Sequence, residues 1–279
     1  MQIFLAQSAG FCFGVKRAVN MAFKAAEEDG NICSLGPLIH SPQLVKRLEL
    51  EGISVINDIN AVADQSVIVR SHGITRQEEE YLHAHELKVV DATCPFVKKA
   101  QKYAGLLGAE GYSVVIVGEK EHPEVQGILS YVQDAEVFVT ADVETAEQIP
   151  LGKRVGLVAQ TTQAYENFSS IALKLLERSK ELRIFNTICD ATSVRQNEAR
   201  ELAAAVDVML VIGGYNSANT NRLARICREI QSNTYHIETA DEISVSWFDG
   251  IEKVGITAGA STPEWIIREV VVKLEKIRK

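Results

Sequence analysis

The sequence predicts an α/β fold made of three similar modules, and three observations predict it. Cys12 precedes His40, Cys94 precedes His122 and Cys189 precedes Ser217 by the same 28 positions. A glycine (Gly36, Gly118, Gly213) stands four positions before each of those partners. Near-continuous apolar runs end at the last two glycines, and such runs suit parallel strands covered on both faces. One structural unit used three times about a common axis would bring three thiols to one centre.

In chain order, each key cysteine opens a helix. Cys12 and Cys94 both begin the pattern C-x-x-V-K-[KR]-A, through Val15-Lys16-Arg17-Ala18 and Val97-Lys98-Lys99-Ala100. The third copy is looser, with Val194-Arg195-Gln196 and Ala199 after Cys189. Apolar residues at helical spacing follow, Val19, Phe23 and Ala26 in the first copy and Leu202, Ala205 and Val206 in the third. Strands are expected at Ile32–Leu35, Val114–Val117 and Val208–Ile212. A further strand in each module leads to a third polar station. Val67–Arg70 leads to Ser71-His72-Gly73, Arg154–Val158 to Gln160-Thr161-Thr162, and Lys253–Thr257 to Ser261-Thr262-Pro263. Ser261-Thr262-Pro263-Glu264 reads as a side-chain-capped helix start with proline in the first turn. All nine stations are expected beyond the carboxyl ends of strands, where open α/β sheets gather ligands. The modules are placed at 1–94, 95–189 and 190–279, with no Pro/Gly/Ser-rich linker between them.

Composition narrows the class. Hydrophobic residues make up 46% and charged residues 24% of 279, the balance of an ordinary soluble protein. No apolar run approaches the ~18 residues of a membrane span, and the N-terminus lacks the basic and apolar regions of a signal peptide. A cytoplasmic protein with no membrane partner is expected, so the five cysteines do not read as a disulfide framework. A net charge of −8 disfavours nucleic acid. A small anion remains compatible, since helix N-termini, backbone N–H groups and a few histidines can hold one.

Cys33, in a strand, and Cys227, on an apolar helix face, read as buried hydrophobes. Cys12, Cys94 and Cys189 stand at strand-to-helix loops, where helix N-termini favour thiolates. Three thiolates fit zinc with an open position or a cubane cluster with one free iron. The absence of close cysteine pairs favours iron–sulfur. His40, His72 and His122 occupy loop stations and suit an anion, whereas His83, His85 and His236 read as ordinary. Gly213–Thr220 has the look of a phosphate loop ahead of a helix. Glu124, in Glu121-His122-Pro123-Glu124, is a candidate proton donor.

Phe11-Cys12-Phe13-Gly14-Val15, Arg70-Ser71-His72-Gly73, Asp91-Ala92-Thr93-Cys94-Pro95, Glu121-His122-Pro123-Glu124, Gln160-Thr161-Thr162 and Asn216-Ser217 with Asn219 resemble the LytB/IspH family of 4-hydroxy-3-methylbut-2-enyl diphosphate reductases. The resemblance runs from Cys12 to Ser261. It implies a trefoil of three α/β modules around one central 4Fe–4S cluster per chain, held by Cys12, Cys94 and Cys189. It implies reductive dehydroxylation of an allylic diphosphate to isopentenyl and dimethylallyl diphosphates, the last step of the non-mevalonate isoprenoid pathway. By the same resemblance His40, His72, His122, Ser217, Asn219 and Ser261 bind the diphosphate, Thr161 lies by the hydroxymethyl end, and Glu124 feeds protons. Reduced ferredoxin or flavodoxin is the implied electron donor. Family members often carry a second serine after Ser217; here Ala218 leaves only a backbone N–H for that contact. A zinc hydrolase of a phosphorylated substrate and a cluster-bearing electron carrier or sensor are the competing readings, and colour with iron analysis separates zinc from iron.

Overall fold

Strand and helix signals alternate through the whole chain, and the computed structural model, which describes residues 1–62 and 65–278, follows that alternation. The order opens with β1 (Gln2–Leu5), α1 (Phe13–Glu28), β2 (Ile32–Leu35), α2 (Pro42–Leu50), β3 (Ile53–Ile56), β4 (Ser66–Val69), α3 (Arg76–Ala84) and β5 (Val89–Asp91). It continues with α4 (Pro95–Ala109), β6 (Ser113–Val117), α5 (Pro123–Ser130), β7 (Val137–Thr140), α6 (Val143–Glu147), β8 (Arg154–Ala159), α7 (Tyr165–Arg178) and β9 (Glu181–Ile184). It closes with α8 (Asp190–Ala205), β10 (Val208–Ile212), α9 (Ala218–Ile230), β11 (Thr234–Ile237), β12 (Lys253–Ala258) and α10 (Glu264–Ile277). None of these helices is long and apolar enough to cross a membrane, among the described residues.

The strands form three four-stranded sheets in the orders β3-β2-β4-β5, β7-β6-β8-β9 and β11-β10-β12-β1. Every pairing is parallel. The fold is therefore α/β with three similar modules, as the apolar runs predict. The two inner strands of each sheet are buried on both faces, which is why Val, Ile and Leu fill them without alternation. The sheet positions match one to one. The glycine ending the first inner strand donates to the last residue of the outer strand in all three: Gly36 to Ile56 (2.6 Å), Gly118 to Thr140 (2.8 Å) and Gly213 to Ile237 (2.9 Å). A side chain at these glycines would strike the end of the neighbouring inner strand or the loop after it. Its Cβ would meet the Arg70 guanidinium at Gly36, Gln160 Oε1 at 3.1 Å at Gly118, and Thr262 Oγ1 at 2.6 Å at Gly213.

By this matching, β1 is the counterpart of β5 and β9. Gln2–Leu5 pairs with Lys253–Ile256 and lies in the sheet of the last repeat, not with the residues that follow it. The repeating unit thus runs from one cysteine helix to the edge strand before the next cysteine. The chain packs as two compact units, one of Met1–Lys16, Ile39–Lys46 and Asp190–Lys279, the other of Arg17–Leu38 and Arg47–Cys189. The first contains the β1 sheet and the second contains the other two.

Two local expectations need correction. The buried stripe of α1 is Val15, Ala18, Val19, Ala22 and Ala25, so Phe23 and Ala26 flank it and are only partly covered. In α8 the buried residues include Ala199 and Ala203, while Ala205 is exposed. Alanines make up much of the buried face in both helices, beside Val15 and Val19 in α1 and with Leu202 packed alongside in α8. Helix α10 has Pro263 at its N-cap with no side-chain cap, because the Thr262 hydroxyl donates to Ile212 O (2.9 Å) and the Ser261 hydroxyl to His40 O (3.2 Å).

Candidate active site

Strand polarity places the candidates. In parallel sheets all carboxyl ends face one way, so residues after them share one edge of each module. Cys12, His40, His72, Cys94, His122, Thr161, Cys189, Ser217 and Ser261 all lie on loops that follow strand carboxyl ends. Cys12 and Cys189 immediately precede α1 and α8, and Cys94 is the N-cap of α4 with extended backbone. One hydrogen bond recurs at all three. The Cys12 N–H donates to Ala260 O (3.1 Å), the Cys94 N–H to Ser71 O (3.0 Å) and the Cys189 N–H to Thr161 O (2.9 Å). Each cysteine is thereby tied to the third polar station of its own sheet.

The five cysteines are all reduced. Cys12, Cys94 and Cys189 are partly exposed, whereas Cys33 and Cys227 are wholly covered. Burial pushes both covered thiols up, Cys227 to about 12, so neither supplies a thiolate. Three accessible thiols at helix N-termini are the donor set that a cluster or a zinc ion requires.

In the larger unit the polar stations join into one run. The Cys94 N–H meets Ser71, and the adjacent His72 ring meets His122 edge-on at 5.5 Å between centroids. His122 caps α5, its Nδ1 accepting the Glu124 N–H at 3.1 Å. A neutral imidazole that accepts through Nδ1 carries its hydrogen on Nε2, which makes His122 a donor. Glu124 is 2% exposed, and its two oxygens accept the Thr161 N–H (2.6 Å) and the Thr161 hydroxyl (3.0 Å). The Thr161 carbonyl then accepts from Cys189. Glu124 is therefore no solvated surface acid; it is a buried carboxylate locked to Thr161.

The other unit has a corresponding run. Cys12 is tied to Ala260, the next residue Ser261 donates to His40 O, and His40 O lies so close to Gly214 that a Cβ there would stand 2.8 Å away. That approach fixes the glycine. Gly214 O accepts the Ser217 N–H (3.0 Å), and Ser217 caps α9 by accepting the Thr220 N–H (3.3 Å). The Ser217 hydroxyl hydrogen stays available, and Ala218 is the first helical residue, where N–H groups have no intrahelical partner. Asn219 is 6% exposed, and neither Nδ2 nor Oδ1 has a hydrogen-bond partner. A buried primary amide without partners costs about 1–3 kcal/mol, so these atoms mark a place for a polar ligand.

The repeat also contains clamps that sequence reasoning missed. Arg17 of α1 donates to Thr93 O (3.1 Å) in the loop ahead of Cys94. Arg195 of α8, 3% exposed, donates to Ser8 O (2.6 Å) and Gly10 O (2.8 Å) in the loop ahead of Cys12. Glu198 accepts the Ser8 N–H of the same loop (2.9 Å). Burial raises the Glu198 carboxyl, but the Ser8 hydroxyl and the backbone N–H groups outweigh it and hold the pKa low. Each clamp helix starts at one cysteine and steadies the loop of another. The C-x-x-V-K-[KR]-A pattern includes Arg17 and is the available signal for the first clamp; the third copy, which holds Arg195, does not follow it.

The model of the LytB protein family matches residues 3–275. The chain belongs to the LytB family. LytB relatives match it end to end. A protein of Syntrophotalea carbinolica is 62% identical over 279 residues, all of both chains. One of Geobacter sulfurreducens is 55% identical, covering 99% of this chain and 98% of its own. Both are called 4-hydroxy-3-methylbut-2-enyl diphosphate reductase. Among solved LytB-like structures, one described as that reductase, "the Terminal Enzyme of the Non-Mevalonate Pathway", is 46% identical with a TM-score of 0.73, covering 99% of this chain and 100% of that one. The E-1-hydroxy-2-methyl-but-2-enyl-4-diphosphate reductase of Plasmodium falciparum is 26% identical with a TM-score of 0.91, covering 97% and 86%.

Proposed function

We propose that this LytB protein is a 4-hydroxy-3-methylbut-2-enyl diphosphate reductase, the terminal enzyme of the non-mevalonate pathway, using a 4Fe–4S cluster held by Cys12, Cys94 and Cys189. The observation that carries the reading is the unbroken run Cys94–Ser71/His72–His122–Glu124–Thr161–Cys189. It sets a buried proton-bearing pair between two thiols. The zinc-hydrolase and electron-carrier readings leave Glu124 locked to Thr161 without a task.

The reaction breaks the allylic C–O bond. Two electrons and two protons are consumed, one proton leaving in water and the other ending on carbon as isopentenyl or dimethylallyl diphosphate forms. When bound, the cluster supplies the electrons singly and a Lewis-acidic iron for the substrate oxygen. The chain's own residues bind, orient and protonate. Nε2–H of His122, the Ser217 hydroxyl, the Asn219 amide and the Ala218 N–H donate to the diphosphate, Ser261 joins them by turning its hydroxyl away from His40 O, and His40 and His72 complete the binding set. Thr161 turns its hydroxyl hydrogen to the substrate oxygen while a protonated Glu124 replaces it through Oε2. Reduced ferredoxin or flavodoxin delivers the electrons. An anaerobic assay with the diphosphate substrate and a chemical reductant, run with iron and sulfide analysis, tests the reading. A brown protein forming both products is the expected result; a colourless, zinc-loaded and inactive one overturns it.

A further inference from the structure

The three copies of the cysteine helix put their basic residues to different uses. In the first, Arg17 clamps the loop before Cys94; in the third, Arg195 is buried on the loop before Cys12. The second copy, α4, has no such arginine. There Tyr103 stacks face to face on Phe185, 4.0 Å between centroids and 4° between planes, in the loop before Cys189. The aromatic pair does the steadying, and the helix's lysines are left facing outward. Lys98, Lys99 and Lys102 are all exposed, and α4 contains no acidic residue. Lys98 pairs with Asp91. Lys99 lies over the Tyr103 ring at 5.7 Å. Lys99 and Lys102 have no carboxylate within ion-pair distance among the described residues. Arg183, whose charge is paired with Glu110, lies over the other ring of the stack, 5.1 Å from the Phe185 centroid, so the unpaired positive charge of this face is that of Lys99 and Lys102. The result is a basic and aromatic surface on a chain of net charge −8. It starts one turn from Cys94 and ends in the loop that leads to Cys189.

Resting on the reading above, we propose that the outer face of α4, with the Tyr103–Phe185 stack, is the docking surface for a small acidic one-electron carrier protein. The reduction takes two electrons from outside the chain. An acidic carrier is repelled by a net-negative protein except where positive charge is concentrated, and a basic face steers such a partner. Here that face shares a helix with one proposed cluster ligand, so docking brings the carrier to the centre. Lys98 is not free for this role because it holds Asp91, whose carboxylate accepts the Thr93 N–H beside Cys94 (2.9 Å). Lys99 and Lys102 are.

The test uses the cluster-loaded protein, reduced flavodoxin as the carrier and, separately, dithionite with methyl viologen. K99E/K102E should lower kcat/KM for flavodoxin by about tenfold or more at low ionic strength, with the gap closing in high salt. Turnover from the chemical reductant should not change. K99Q/K102Q should fall between the two, and Arg225→Glu, a charge reversal on α9, should match the parent. Affinity for oxidised flavodoxin, measured by calorimetry, reads the contact without turnover. Unchanged affinity in K99E/K102E overturns the proposal even if the reductase reading holds. An equal fall with both electron sources also overturns it, because the lysines would then act on the centre itself. Failure of the parent to turn over with the chemical reductant counts against the reductase reading alone.

Discussion

Replacing Asn219 by leucine separates a residue kept for the fold from one kept for a ligand. Its amide is buried and neither end is paired. Leucine has nearly the same volume and no polar atoms, so Asn219→Leu removes two unsatisfied groups at little packing cost. The ligand-free protein should gain about 1–3 kcal/mol. For a chain of this size that is a rise in melting temperature of about 2 °C per kcal/mol, or roughly 2–6 °C. The diphosphate should then bind about 10- to 100-fold more weakly, the worth of one hydrogen bond to a charged group at about 1.5–3 kcal/mol. Anaerobic melting curves with and without substrate measure both effects on one sample, and iron content verifies the centre. A lower melting temperature with the substrate-induced shift intact would refute the reasoning. It would mean that the amide serves the protein's own packing.

Glu124→Gln should retain iron and diphosphate affinity, since the Thr161 hydroxyl can turn to accept from the new amide. Single turnover should fall by a factor on the order of 10²–10⁴; a normal rate rules out the proton role. In metal-free protein a thiol reagent should modify Cys12, Cys94 and Cys189 quickly and reach Cys33 and Cys227 only on unfolding; five equal rates would contradict the burial described. The Ser66 hydroxyl (2.6 Å) and Lys88 hold Asp29 down to about 2. Its folded pKa lies below the unfolded value, so its support is complete above roughly pH 4 and is lost as pH falls toward 2. Asp29→Asn should flatten acid unfolding curves over that window, and an unchanged slope would remove Asp29 from the account.

Sheet positions were legible in the sequence because strands buried on both faces write themselves as apolar runs, as at Val208–Ile212. The stations were legible because a loop after such a strand keeps its place when the unit repeats. The partner of Gln2–Leu5 was not. An edge strand of four residues has no local feature that names its neighbour, and that neighbour lies at the far end of the chain. Ser261 and Thr262 leave the start of α10 uncapped because their hydroxyls find acceptors in His40 O and Ile212 O, which come from distant segments that no local pattern shows. The locking of Glu124 to Thr161 was equally invisible, since 37 positions separate them. The clamps of Arg17 and Arg195 escaped because arginine in a helix gives no sign of whether it meets solvent or a carbonyl.

Closing the last sheet with the first strand sets a timetable for the nascent chain. Gln2 pairs with Lys253, so 250 residues are synthesised between the partners. At about 5–20 residues per second, β1 waits some 10–50 s on the ribosome before the sheet that receives it exists. The other two sheets draw all their strands from adjacent chain and can form during that wait. Cys12 is the first of the three proposed ligand thiols to be translated, yet its loop is fixed last, since its N–H is held by Ala260. On the proposed reading, delivery of iron and sulfide to these thiols therefore belongs after translation, once β1 has docked.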